Sequence, residues 1–162
     1  MSLINMVSAE VIAKLEKVVA KFPADKKRSA ILEGLHILQD NNGGYLTDEL
    51  QIALADYLGV SKVDVFEVAT FYIMYERSPV GRHKLHLCTN VSCMLNGAYD
   101  LLKHIENRLG IKVGETTKDG RITLKEVECQ GACAGSPMLE VDKVFHENLT
   151  IATVDKIIDG LE

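Results

Sequence analysis

A chain of 162 residues, 47% apolar and 25% charged, is of ordinary globular composition with room for one compact domain or two small ones. A net charge of −5 and a pI near 5.6 argue against nucleic acid or an anionic membrane surface as partner, and no apolar run approaches the ~20 residues that span a bilayer. The opening Met1-Ser-Leu-Ile-Asn-Met-Val-Ser8 has no basic start, no leader-length apolar core and no Arg-rich transit character, so the chain reads as cytoplasmic or as a mature form.

Val11, Leu15, Val18 and Phe22 recur at spacings of three and four, which predicts a helix from Ser8 to Phe22 with Ser8 as N-cap and Pro23 past its end. A second helix is expected from near Asp25, with Ile31, Leu35 and Leu38 on one face, stopped by Asn41-Asn-Gly-Gly44. Thr47 caps a third, whose buried face is Leu50, Leu54 and Leu58 and which Gly59 ends. From Lys62 to Tyr75 the signals conflict. Val63, Val65, Val68, Phe71, Tyr72 and Ile73 favour strand, while a weak Ser61/Asp64 capping box and the spacing Val65, Val68/Ala69, Tyr72 favour helix. Helix is the expectation, and four short helices make a small bundle.

Arg77-Ser-Pro-Val-Gly81 punctuates the chain and is read as a boundary between residues 1–80 and 81–162. His83 to Leu87 alternates as a strand. Met94, Ala98, Leu101/Leu102, Ile105 and Leu109 predict one helix closed by Gly110. Thr117-Lys-Asp-Gly120 is a turn, and Ile122 to Glu128 alternates as a strand. Met138–Val141 and Lys143–His146 form a hairpin around Asp142, and Thr153 caps a last helix from Val154 to Leu161. The order β, α, β, β, β, α describes a small sheet domain.

All four cysteines lie between Cys88 and Cys133, in two pairs: Cys88-Thr-Asn-Val-Ser-Cys93 and Cys129-Gln-Gly-Ala-Cys133. Both pairs fall just beyond the carboxyl ends of expected strands, where open α/β sheets keep their ligand sites. Four thiolates from two loops can hold a structural zinc, two disulfides or an iron–sulfur cluster. A reducing compartment disfavours disulfides. Zinc and cluster both tolerate these spacings, so spacing alone leaves them open. Cys93 at the start of the expected long helix would face its positive end, which suits an anionic centre, and Gly97, Ala98, Gly131, Ala132, Ala134 and Gly135 would let backbone N–H groups approach sulfur. Gly135 reads equally as a plain turn residue.

His86 shares a strand face with Cys88 and is a conceivable but weaker ligand, more simply a neighbour of the site or a surface residue. No Ser/His/Asp set, paired carboxylate or nucleotide fingerprint appears, so the chain has no complete active site of its own. Leu50 to Tyr72 resembles a helix-turn-helix. Its would-be recognition helix sets one base, Lys62, against Asp64 and Glu67 and lacks the Arg, Asn and Gln that read base edges.

At these residues the chain resembles the [2Fe–2S] subunit family of NADH:quinone oxidoreductase, respiratory complex I. The blocks that carry the resemblance run from Phe22-Pro23 and Arg28-Ser-Ala30 through Gly43-Gly44, Val68-Ala-Thr-Phe-Tyr72 and Pro79-Val-Gly81. They continue through both cysteine motifs, Gly114-Glu-Thr-Thr117 and Asp119-Gly120. The resemblance implies an α+β protein, an N-terminal helical bundle followed by a thioredoxin-like [2Fe–2S] ferredoxin domain. It implies Cys88, Cys93, Cys129 and Cys133 as ligands of one [2Fe–2S] cluster, which exchanges single electrons with the flavin (FMN) of a partner NADH-binding subunit. That partner belongs to the peripheral arm of a membrane-bound complex, with no membrane insertion by this chain. The equivalent subunits of NAD(P)-linked hydrogenases and formate dehydrogenases share the pattern, and a zinc-stapled interaction module or redox-sensing DNA-binding protein is a distant alternative. The exposed side of the cluster loops and the Val68–Met74 segment are the candidate partner contacts. Gln130 stands where the family usually has leucine.

Overall fold

The computed structural model describes residues 3–162, so the first two residues of the segment read for a leader lie outside it. The chain separates into two compact units, Met1–Pro79 and Val80–Glu162, each with its own core.

The first unit is helical. α1 (Ala9–Val19) opens where Ser8 Oγ accepts the Val11 N–H, and buries Val11, Leu15 and Val18. It ends earlier than the periodicity suggests, because Lys21 and Phe22 close onto Val18 and Val19 in a tight turn before Pro23. The second predicted helix begins instead as a 3-10 run, Ala24–Ala30, and becomes α2 only from Ile31 to Asn41. Polar Asp25 to Arg28 offers no apolar stripe to hold α-helical turns, whereas Ile31, Leu35 and Leu38 are buried together. α3 (Asp48–Leu58) is capped by Thr47 and closed by Gly59 at φ +68°, as its sequence predicts.

α4 (Lys62–Phe71) is a helix despite its β-branched residues, but it stops four residues short of Tyr75. Tyr72 is extended because the segment beyond it is drawn into the core. Tyr75 is buried and donates its hydroxyl to Leu32 C=O, and buried Gln39 bonds both Met74 C=O and Glu76 N–H. Only half of the expected capping box forms: Ser61 Oγ accepts from Val63 N–H, while Asp64 pairs with Arg28.

The second unit is a four-stranded sheet with helices. β1 (His83–Cys88), β2 (Ile122–Val127), β3 (Leu139–Val141) and β4 (Val144–His146) lie in the order β2-β1-β3-β4. β1 runs parallel to β2 and antiparallel to β3, with Leu85 opposite both Leu124 and Val141. Alternation places Leu85, Leu87, Ile122, Leu124, Leu139 and Val141 in the core with α6 (Ala98–Leu109) and α7 (Ile151–Asp159). It sends His86 and Cys88 to the other face. Asp142 and Lys143, at φ +49° and +73°, make the two-residue β3–β4 turn, matching the twist of the strands. Gly81 packs against the backbone before β2 so closely that a Cβ would come within 2.9 Å of Arg121 and Ile122 main-chain atoms.

Two expectations are corrected here. The single helix Met94–Leu109 is in fact two, α5 (Val91–Leu95) and α6, broken at Gly97, which takes φ +89°. The last helix is capped by Thr150, not Thr153. Thr153 is its third helical residue and returns the bond to the Thr150 N–H, so an S/T pair spaced by three closes the box.

Candidate metal centre

Cys88 ends β1, and Cys93 lies two residues into α5, with both buried at 3% and 2% exposure. The short helix exists because Asn90 Oδ1 caps the Val91 N–H, folding the backbone so that Cys93 meets Cys88. Cys93 therefore lies inside the short α5 and does not itself open the long helix, whose first residue, Ala98, packs beside it. Cys129 and Cys133 follow β2 on an exposed loop, turned by Gly131 at φ +82°. Their sulfurs stand 3.6 Å apart.

The thiols are linked to one another. Burial, first, and then a hydrogen bond with the Cys88 sulfur push the Cys93 thiol up to about 11, against a lowering bond from the Met138 backbone; the nearby charge of Cys133 adds to the rise. Ala98 and Met138 pack around Cys88 and Cys93, with Ala132 against them. The Gly131 N–H donates to Cys129 Sγ at 3.4 Å. Of the small residues expected to bring donors to sulfur, Gly131 gives its N–H to Cys129, Ala98 and Ala132 pack against the first pair, and Gly97 serves as the break between helices. Among the described residues no three His, Cys, Asp or Glu side chains close on one metal position. The arrangement is two sulfur pairs.

Two thiolates on one tetrahedral metal, with metal–sulfur bonds of ~2.3 Å, stand about 3.8 Å apart. The Cys129–Cys133 separation fits that span, and a second, dry pair beside it supplies the donor set a binuclear iron–sulfur centre needs. His86 is not drawn into this set. It is buried on β1 with Nδ1 3.9 Å from Glu140 on β3, so it belongs to the sheet and not to the surface.

Sequence reasoning missed the bonds that join the two cysteine loops. Asn90 Nδ2 donates to Glu128 at 2.7 Å, Thr89 Oγ1 to Glu126 at 2.7 Å, and Asn96 Nδ2 to Ser136 Oγ at 2.9 Å. The adjacency of Asn90 and Glu128 to the cysteine motifs was the available signal. The Ser136–Pro137 peptide, just past the second pair, is cis.

The fold and site are those of an α+β protein of two compact units, the second carrying paired thiols at and past the carboxyl ends of two parallel strands. Residues 15–162 match the family described as "Thioredoxin-like [2Fe-2S] ferredoxin". Over 147 residues the sequence is 44% identical to the second E-type subunit of NADH-quinone oxidoreductase from Rhizobium meliloti (strain 1021), covering 91% of this chain and 86% of that protein. It is 40% identical to the E-type subunit of NADH-quinone oxidoreductase from Rickettsia conorii, covering 91% and 88%. NADH dehydrogenase [ubiquinone] flavoprotein 2, mitochondrial, of Dictyostelium discoideum is 37% identical over 94% of this chain, which spans 62% of that protein's length. Among solved structures, NAD+-reducing [NiFe]-hydrogenase shares the fold at TM-score 0.67 and 20% identity, over 80% of this chain and 22% of that one. The chain belongs to the thioredoxin-like [2Fe–2S] ferredoxins and, within them, to the family of E-type subunits of NADH-quinone oxidoreductase. The group its family holds is a [2Fe–2S] cluster.

Proposed function

We propose that Cys88, Cys93, Cys129 and Cys133 hold one [2Fe–2S] cluster, and that this chain is the electron-transfer subunit of an NADH:quinone oxidoreductase. Its partner is an NADH-oxidising, flavin (FMN)-bearing subunit in the peripheral arm of the complex. The observation that carries the reading is the pairing of all four thiols at the ends of β1 and β2, in a protein that matches its NADH-quinone oxidoreductase relatives over about nine-tenths of its length. Among the described residues no helix is long and apolar enough to cross a membrane.

A bound [2Fe–2S] cluster supplies storage and return of one electron at a time. The chain's own residues do the rest. Cys88 and Cys93 offer sulfur from the dry end of β1, where Ala98 and Met138 exclude water. Cys129 and Cys133 offer sulfur from the exposed loop, leaving that side open to a partner. The Gly131 N–H donates to Cys129 Sγ, and the Met138 backbone bond at Cys93 opposes the rise that burial imposes on that thiol. Val91, Leu95 and Tyr99 are 62%, 76% and 52% exposed beside the first pair, an apolar border suited to docking. In the first unit, Phe71 and Ile73 of the Val68–Met74 segment are likewise exposed and offer a second contact.

Electron paramagnetic resonance of anaerobically purified, dithionite-reduced protein tests this reading, with iron and sulfide assayed on the same sample. An S = 1/2 signal and about two irons per chain are expected. Cys129→Ser should shift or abolish the signal. A silent sample with one zinc per chain would overturn the assignment.

A further inference from the structure

The two cysteine loops are far apart in sequence, yet they are sewn together by side chains that are not sulfur. Asn90 lies between the first two cysteines and Glu128 immediately precedes the third, and the Asn90 amide donates to the Glu128 carboxylate at 2.7 Å. Asn96, just past α5, donates to Ser136, just past the fourth cysteine, at 2.9 Å. One bridge thus stands before the second pair and the other after it. Asn90 does two tasks with its two amide ends: Oδ1 caps α5 at Val91, and Nδ2 reaches Glu128. Thr89 next to it holds Glu126 in the same manner, so two carboxylates of β2 and its exit are fixed against the first loop.

We infer that Asn90 and Glu128 form a positioning latch that keeps the two cysteine pairs at cluster-binding separation, and that the Glu128 charge lowers the cluster's reduction potential. This rests on the four-cysteine reading above. Holding both loops in advance slows the opening through which iron is lost, since a loop must swing away before its sulfurs can be exchanged. A carboxylate fixed beside the ligand loops opposes the addition of an electron, because net charge around a cluster helps set its potential.

Three variants separate these roles. Asn90→Asp keeps the cap on α5, since aspartate caps as well as asparagine, but sets two carboxylates against each other and breaks the latch. Glu128→Gln keeps an acceptor for Asn90 and removes the charge. The double variant Asn90→Asp/Glu128→Gln reverses donor and acceptor at unchanged net charge. Two readouts are taken on iron-loaded protein: the rate of iron loss to a ferrous chelator, and the midpoint of the dithionite-reducible signal. Asn90→Asp should lose iron about tenfold faster, the scale of one hydrogen bond to a charged group, and the double variant should return towards the wild-type rate. Glu128→Gln should favour the reduced form about three- to tenfold, tenfold being 59 mV for one electron, and the double variant should return towards the wild-type midpoint.

If Asn90→Asp loses iron at the wild-type rate, or the double variant is no slower than Asn90→Asp, the latch is refuted. An unmoved midpoint in Glu128→Gln refutes the charge role. Wild-type protein that binds no iron would defeat the ligand assignment itself, a result these variants cannot mimic.

Discussion

At the scale of single residues, His83 shows how one side chain ties three distant points. Its Nδ1 bonds Asp142 in the β3–β4 turn at 2.5 Å and its Nε2 bonds the Glu162 carbonyl at 2.9 Å. Asp142 also accepts the Lys84 N–H, while Arg82 and Arg121 donate to the Glu162 and Leu161 carbonyls. The bond to Asp142 is the largest cause of a raised His83 pKa, and partial burial and the Arg82 charge oppose it. A folded-state pKa above the unfolded value means the clasp contributes fully below about pH 6.5, the usual histidine value, and is lost as pH rises through the raised one. The difference in melting temperature between wild type and His83→Gln should therefore be largest near pH 6 and shrink towards pH 8. The difference isolates His83 from the other histidines. A gap that stays constant with pH would show that the clasp does not depend on protonation.

At the scale of elements, the decisive contacts are those that end a helix. Buried Gln39 on α2 donates to Met74 C=O at 3.0 Å and accepts from Glu76 N–H at 2.7 Å, and Leu46 N–H bonds Glu76 C=O at 2.7 Å. Gln39→Leu would strand two backbone groups away from water, each costing ~1–3 kcal/mol. Chemical denaturation should find the first unit weakened by about 2–4 kcal/mol. A loss below 1 kcal/mol would show that water replaces the amide. The same contact explains what could and could not be read beforehand. The starts of α1 and α3 and the Gly59 stop were visible because caps act within three residues of the helix they close. The end of α4 was not, since Gln39 lies 35 residues from Met74. The four cysteines were visible as a pattern, whereas Asn90–Glu128 spans 38 residues and has no periodicity to betray it. The break at Gly97 was hidden because Met94 and Ala98 keep helical spacing across it, although Met94 is 42% exposed.

At the scale of the whole molecule, the two units have unequal means of stability. The first gathers a continuous core from Leu3 to Tyr75 without help from any cysteine. The second has 83 residues by its bounds, Val80 to Glu162, and keeps all four thiols at one end, with Cys88, Cys93, Ala98 and Met138 forming a small cluster apart from the main core. Domains of this size bury a modest fraction of their surface and gain most from a metal staple. A centre that binds only the folded loops adds its binding free energy to folding. Fragments 1–79 and 80–162, produced separately, should thus behave differently when iron is chelated anaerobically. The helical fragment should keep its melting temperature. The sheet fragment should melt lower by roughly 4–8 °C for each kcal/mol of lost stabilisation. Circular dichroism melts with and without chelator decide it: an iron-loaded 80–162 fragment whose melting point ignores chelation would mean that its sheet core alone sustains the fold, and that the thiols serve electron transfer without stapling the domain.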